Sequence, residues 1–189
     1  MNNNYTADAL FKRRIEENID LLENLELEKL YKEVRPSYAP MLTVMLQECG
    51  IDPLQHMTVV PDRYLCGQIL KHFVLPSHIK KIGRESFKWC HFESFEFASN
   101  SECTEVSTSF VGASIATRTI TFPESCNYID AHCFENADID RVVLESPTMI
   151  QFPEVFQDND YPHFFVVKDS LTFDLLSQVV HVSKLHYIN

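Results

Sequence analysis

The chain has 189 residues, 45% of them apolar, and a formal net charge of −11. That apolar share at that length can bury a sizeable core, which excludes a disordered chain and leaves room for one domain or a domain with a helical extension. Four glycines, with no tract dominated by Gly, Ser or Gln, exclude a flexible linker, and no run of about 18 apolar residues offers a membrane span. The N-terminus, MNNNYTADALFKRRIEENID, lacks the apolar stretch of a secretory signal, so the expected location is the cytoplasm. The six cysteines, Cys49, Cys66, Cys90, Cys103, Cys126 and Cys133, are then reduced thiols rather than a disulfide framework.

In chain order the first third reads as helical. Thr6 is an N-cap with Asp8 in the first turn; Phe11, Ile15, Ile19 and Leu22 form one stripe and Leu27, Leu30, Tyr31 and Val34 another, ending before Pro36. Ser37 is the expected cap of a second element in which Leu42, Met45, Leu46 and Cys49 share a face and Gly50 closes the end, and Asp52-Pro53 signals a further short turn. The stripes fit a partner-binding face as well as a core, but a helical pack ahead of a repeat array has an obvious role as its cap.

From Phe73 onward the sequence repeats. The copies SFKWC, SFVGA, CFENA and VFQDN place Phe87, Phe110, Phe134 and Phe156 at spacings of 23, 24 and 22 residues. Ahead of each stands a short alternating segment, whose inward residues (Phe95 and Phe97, Ile120 and Phe122, Val142 and Leu144) stack on those of the neighbouring copies as strands would. The result is a short parallel sheet built one strand per repeat.

The motif I-x-I-P-x-x-V-x-x-I-G-x-x-A-F-x-x-C resembles residues 75–90, LPSHIKKIGRESFKWC, and residues 122–137, FPESCNYIDAHCFENA, with looser copies at 97–113 and 142–157. On these residues the chain resembles the BspA-like leucine-rich repeats over about 70–176, and FFVVKDSLTFDLLSQ resembles the strand and helix that end such arrays. The resemblance implies an α+β fold: a leucine-rich-repeat solenoid with short parallel strands behind a helical N-terminal cap. The expected division is a helical segment over 1–68, about four degenerate repeats over 69–160, and a C-terminal strand and helix over 161–189. It also implies a recognition scaffold of the kind found in bacterial adhesins, protozoan proteins and small proteins of large phages; the short chain, without an export signal, fits the phage or intracellular type.

Charge is unevenly placed. Between Trp89 and Asp160 thirteen acidic residues face only Arg118 and Arg141, while Lys71, Lys80, Lys81, Arg84 and Lys88 form a basic patch just ahead of them. Repulsion from the acidic stretch argues against direct nucleic-acid binding by that patch. No G-x-S-x-G, P-loop, G-x-G-x-x-G or H-E-x-x-H motif is present, so neither an enzyme nor a cofactor is expected. Cys90-His91 with His132-Cys133 resembles a zinc ligand set only in composition; without C-x-x-C spacing, no metal is expected.

The leading expectation is a non-catalytic protein-recognition module. Its partner meets the solvent side of the strands at Glu93, Glu96, Arg118, Thr121, Arg141 and Val143. The alternative is a phage-encoded antagonist of host defence, which presents Glu135, Asp138, Asp140, Glu145, Glu154, Asp158 and Asp160 to a basic nucleic-acid-binding complex as a mimic of phosphate charge. The exposed ends of the array also leave room for a homodimer.

Overall fold

A computed structural model describes residues 13, 27–130, 132–145, 164–168, 170–178 and 184–188. The expected N-terminal stripe from Phe11 to Leu22, its Thr6 cap, Phe156, Glu154, Asp158 and Asp160 lie outside the described residues.

Two helices, α1 (Leu27–Glu33) and α2 (Ala39–Glu48), flank a 3-10 turn at Pro36–Tyr38. Ser37 stands inside that turn rather than capping α2, because Pro36 and Pro40 fix the backbone on both sides of it and Tyr38 becomes the cap residue. At the far end Gly50 adopts φ +81°, which lets its N–H reach the Gln47 carbonyl (2.9 Å) while Ile51 N–H reaches Leu46 (2.9 Å). This pair of bonds satisfies carbonyls that the last turn would otherwise leave free. Asp52 caps the next turn, accepting from Leu54 N–H at 3.1 Å. Leu42, Leu46 and Leu54 are buried, and Thr43 Oγ1 joins the helices to the array by hydrogen bonds to Tyr31 Oη (2.7 Å) and to the Tyr64 carbonyl (2.8 Å).

The rest is a coil of parallel strands. A narrow side carries four two-residue strands in the order β1 (Val59–Val60), β3 (Lys81–Ile82), β5 (Glu105–Val106), β8 (Tyr128–Ile129). A wide side carries β2 (Ile69–Leu75), β4 (His91–Phe97) and β6 (Ser114–Ile115) in one sheet, and β7 (Thr119–Phe122), β9 (Arg141–Leu144), β10 (Phe164–Val167) and β11 (Leu185–Tyr187) in another. Every pairing among the described strands is parallel, and Val60, Ile82, Val106 and Ile129 stand in register along the narrow side. Parallel neighbours require a crossover, and here each turn of the coil supplies it.

The phenylalanines of the repeat form the axis of the core. Phe87 and Phe110 lie 5.3 Å apart and Phe110 and Phe134 6.1 Å apart, all three fully buried, with Phe92, Phe95 and Phe122 packed edge-on around them. Each buried ring contributes about 1.5–3 kcal/mol by leaving water and each close ring pair about 0.5–1.5 kcal/mol more. Smaller buried residues form parallel files beside them: Ile79, Cys103 and Cys126, and Cys90, Ala113 and Ala137.

The turns that carry these phenylalanines are also stitched to one another. Leu65 N–H donates to Ser86, Phe87 to Ser109 and Phe110 to Cys133, at 2.8, 3.0 and 3.0 Å. The turn closes in each case on a left-handed residue, Gly67, Trp89, Gly112 and Asn136, and the first three of these donate to the next repeat (Gly67 to Lys88, Trp89 to Val111, Gly112 to Glu135). At the C-terminal end α3 (Ser170–Ser177) buries Thr172 and Leu176, and Phe173 meets Tyr187 of β11 edge-on at 6.0 Å.

Tyr64 is fully buried, yet its hydroxyl has no hydrogen-bond partner among the described residues. An unsatisfied buried hydroxyl costs about 1–3 kcal/mol. Tyr64→Phe is therefore expected to raise stability by about 1 kcal/mol, seen as a melting temperature higher by about 2–4 °C; a lower melting temperature would show that the hydroxyl has a partner.

Candidate protein-recognition face

The outward side of the wide sheets is a continuous surface built one strand per turn of the coil, and alternation along the strands decides what it shows. In β4, Phe92 and Phe95 point inward while His91, Glu93, Ser94 and Glu96 point out. Neighbouring strands are tied across this surface by side chains: His72 Nδ1 lies 2.8 Å from Ser94 Oγ, and His91 Nδ1 lies 2.6 Å from Ser114 Oγ, each bond joining residues opposite one another in the sheet.

The face is split in the middle. His91 and Phe92 pair with Ser114 and Ile115, Ser114 bridges to Asp138, and pairing resumes with Thr119 opposite Arg141. Four residues separate Ser114 from Thr119, but only two separate Asp138 from Arg141. The core file is fixed, so the two extra residues are thrown outward at Ala116–Arg118, and β7 cannot continue the hydrogen bonds of β4. Arg118 holds the jog. It adopts φ +52°, its N–H donates to Ile115 (2.7 Å), and its carbonyl accepts from Asp140 and Arg141 (2.9 and 3.0 Å). Its guanidinium reaches Asp138 (2.7 Å) and Asp140 (2.6 Å).

A cleft of about 900 Å³ opens where the two sheets part, toward the C-terminal ends of β4 and β7. Its lining mixes hydroxyls and carboxylates with apolar side chains: Ser94, Thr117, Thr119, Thr121 and Ser125 stand beside Glu96, Glu124 and Glu145, and Phe95, Phe97 and Pro123 form part of the wall. Such a wall offers donors and acceptors to a peptide backbone and negative charge to a basic side chain. Glu145 is held by Lys168 (2.5 Å). No described cation pairs with Glu96 or Glu124.

The expected contact residues are all found on this side of the molecule. Glu93 and Glu96 lie on β4, Thr121 on β7, Arg141 and Val143 on β9, and Arg118 at the jog. Of the acidic residues proposed for charge mimicry, Asp138 and Asp140 are engaged by Arg118, Glu145 by Lys168, and Glu135 lies 3.8 Å from His132. The basic residues are spread over three sides. Lys71 is on β2 of the wide face, Lys80 and Lys81 are at the narrow side with Lys81 paired to Glu105 (2.5 Å), and Arg84 and Lys88 are in the turn, where Lys88 pairs with Glu85. That pairing, with Arg63 second, holds the Glu85 carboxyl below its ordinary range.

Two features were not read from the sequence. The jog had a signal: eight residues separate Ala113 from Phe122, but only six separate Cys90 from Phe97. The other is the left-handed setting of Trp89, which is 64% exposed at the start of β4 and at the end of the strand away from the cleft. It adopts φ +56°, its indole lies where a Cβ on Gly112 would stand, and the Lys88 ammonium sits 4.7 Å from its ring centroid. A bulky residue in the left-handed region costs on the order of 1–2 kcal/mol, and glycine one repeat along makes space for the ring.

A family model described as a BspA type leucine rich repeat region matches residues 57–172, in six copies. The chain belongs to that family. No curated protein and no solved structure matches it. The family match begins ahead of the phenylalanine repeats and takes in β1 and the turn to Gly67, where Leu65 occupies the position of Phe87.

Within the BspA-type array the cysteines take small interior positions. Cys90, Cys103, Cys126 and Cys133 are buried thiols, and burial pushes those of Cys90, Cys103 and Cys133 up to about 12. Cys90 points into the core, its Sγ 2.8 Å from the Leu65 carbonyl, while His91 points out, so the Cys-His dipeptides do not converge. Among the described residues no group of three His, Cys, Asp or Glu side chains is placed to hold a metal ion. The thiolate is the reactive species. Titration with a thiol reagent at pH 8 is expected to modify only the half-buried Cys49 and Cys66 quickly, the four buried thiols reacting on unfolding; rapid reaction of all six in the folded protein would contradict the packing.

Proposed function

We propose that this BspA-type array is a non-catalytic module that binds another protein through the outward side of its wide sheets, with the cleft between β4 and β7 as the centre of the contact. Leucine-rich-repeat arrays typically bind proteins, because a coil presents a long, rigid surface whose residues can vary without disturbing the core. The observation that carries this reading is the cleft itself, where the regular face opens, lined by hydroxyls and by the carboxylates Glu96 and Glu124. Its chemistry fits a partner that offers backbone amides and a Lys or Arg side chain. Arg141 and Val143 border the same surface, and Trp89 is an aromatic anchor at its rim.

We place the module in the cytoplasm, where its six cysteines remain thiols. The helices α1 and α2 then serve as the cap of the array rather than as a second binding face, since Leu42 and Leu46 are spent on its core. The antagonist reading has less behind it, because Asp138 and Asp140 share Arg118 and Glu145 pairs with Lys168 within the chain.

The test is capture of partners from a bacterial lysate by the wild-type protein and by Thr121→Arg and Arg141→Glu, with Lys80→Glu on the narrow side as control. Both face variants are expected to lose the captured protein while melting at the wild-type temperature, and Lys80→Glu to keep it. Equal capture by all four proteins would contradict this surface. Release of a nucleic-acid-handling complex by moderate salt, unaffected by Thr121→Arg, would favour charge mimicry instead.

A further inference from the structure

The first strand of the wide face differs from those behind it. β2 pairs with β4 on one side, and on the other no described group bonds to its backbone. Its outward side chains are Ile69, 82% exposed, and Val74, 54% exposed, with Lys71 and His72 between them. Two of its inward side chains, Leu70 and Phe73, are only half-buried, whereas Leu75 at its end and Phe92 and Phe95, their neighbours on β4, are buried. Among the described residues the helical cap covers the core near Tyr64 and Leu54 and leaves the β2 side open. An edge strand of seven residues whose outer backbone groups meet no described partner, with apolar side chains on both faces, is a template for another strand.

The spacing of these side chains restricts what fits. Alternation breaks at one point, where Lys71 and His72 both face outward, and the same break recurs in β4 at Glu93 and Ser94. A strand of regular alternation matches the faces of β2 on one side of the break and opposes them on the other. A strand with the same break, run antiparallel, matches throughout.

We propose that β2 is a self-association edge, through which two copies of this chain pair antiparallel. Ile69 then stands opposite Val74 of the second copy, Leu70 opposite its Phe73, and Lys71 opposite its His72. The outward pair is apolar, the inward pair covers the two half-buried core residues, and both wide faces join into one sheet across a two-fold axis. The cleft between β4 and β7 lies beyond β4 from this edge, so each copy keeps its own cleft.

The test is the mass of the full chain by light scattering across a range of concentrations, for wild type, Ile69→Lys, Val74→Glu and the double variant. Both single substitutions fall on exposed positions and are expected to leave the melting temperature unchanged. Each is felt twice in a two-fold contact, so each is expected to weaken dimerisation by about tenfold or more. The double variant places the new ammonium at position 69 opposite the new carboxylate at position 74 of the other copy, and is expected to regain the dimer in a salt-sensitive form. A wild-type protein that stays monomeric at every concentration overturns the proposal. So does a dimer indifferent to both single substitutions, or one that the double variant fails to restore.

Discussion

The column of buried phenylalanines, Phe87, Phe110 and Phe134, is the constraint on which the rest of the molecule depends. The turns that carry these rings are joined by backbone hydrogen bonds from one repeat to the next, so stacking and hydrogen bonding enforce the same rise per repeat. The neighbouring files of Val, Ile, Cys and Ala fill the remaining space and follow that rise. No single repeat of this size can bury its own core; the column makes the repeats one body.

A fixed interior also decides where irregularity goes. Extra residues in one repeat cannot be absorbed against the column, so they are expelled to the surface. The two extra residues before Arg118 divide the wide face, and the division makes the cleft. Arg118 is drawn into this structural role, with both its backbone and its guanidinium engaged by Asp138, Asp140 and Arg141. Part of the acidic charge nearby is thereby offset, and Glu96 and Glu124 of the cleft have no described cation beside them.

The parts of this architecture with a strict period were legible in the sequence. Phenylalanine spacing located the turns, and the alternation in residues such as Ile120 and Phe122 identified inward positions that are buried in the structure. The first turn of the array was harder to see, because Leu65 stands where later copies carry phenylalanine and the anchor of the pattern is missing. The helix cap assigned to Ser37 failed for a local reason, two prolines close enough to wind a 3-10 turn around it. The cleft depends on a difference in length between two neighbouring repeats, a quantity that a search for similarity averages away. The open edge at β2 was foreseeable only in kind, as an end of the array; its exposed Ile69 and half-buried Phe73 follow from where the described helices stop covering the core.

Native-state hydrogen exchange of the wild-type chain and of Phe110→Ala tests the column most directly. If the column unites the repeats, the amides of Phe87, Ile82 and Ile129 exchange through one common opening, and Phe110→Ala lowers their protection together, by an amount near the about 3–5 kcal/mol cost of emptying a buried phenylalanine site. Loss of protection confined to the repeat that contains residue 110, with its neighbours unchanged, would contradict the account.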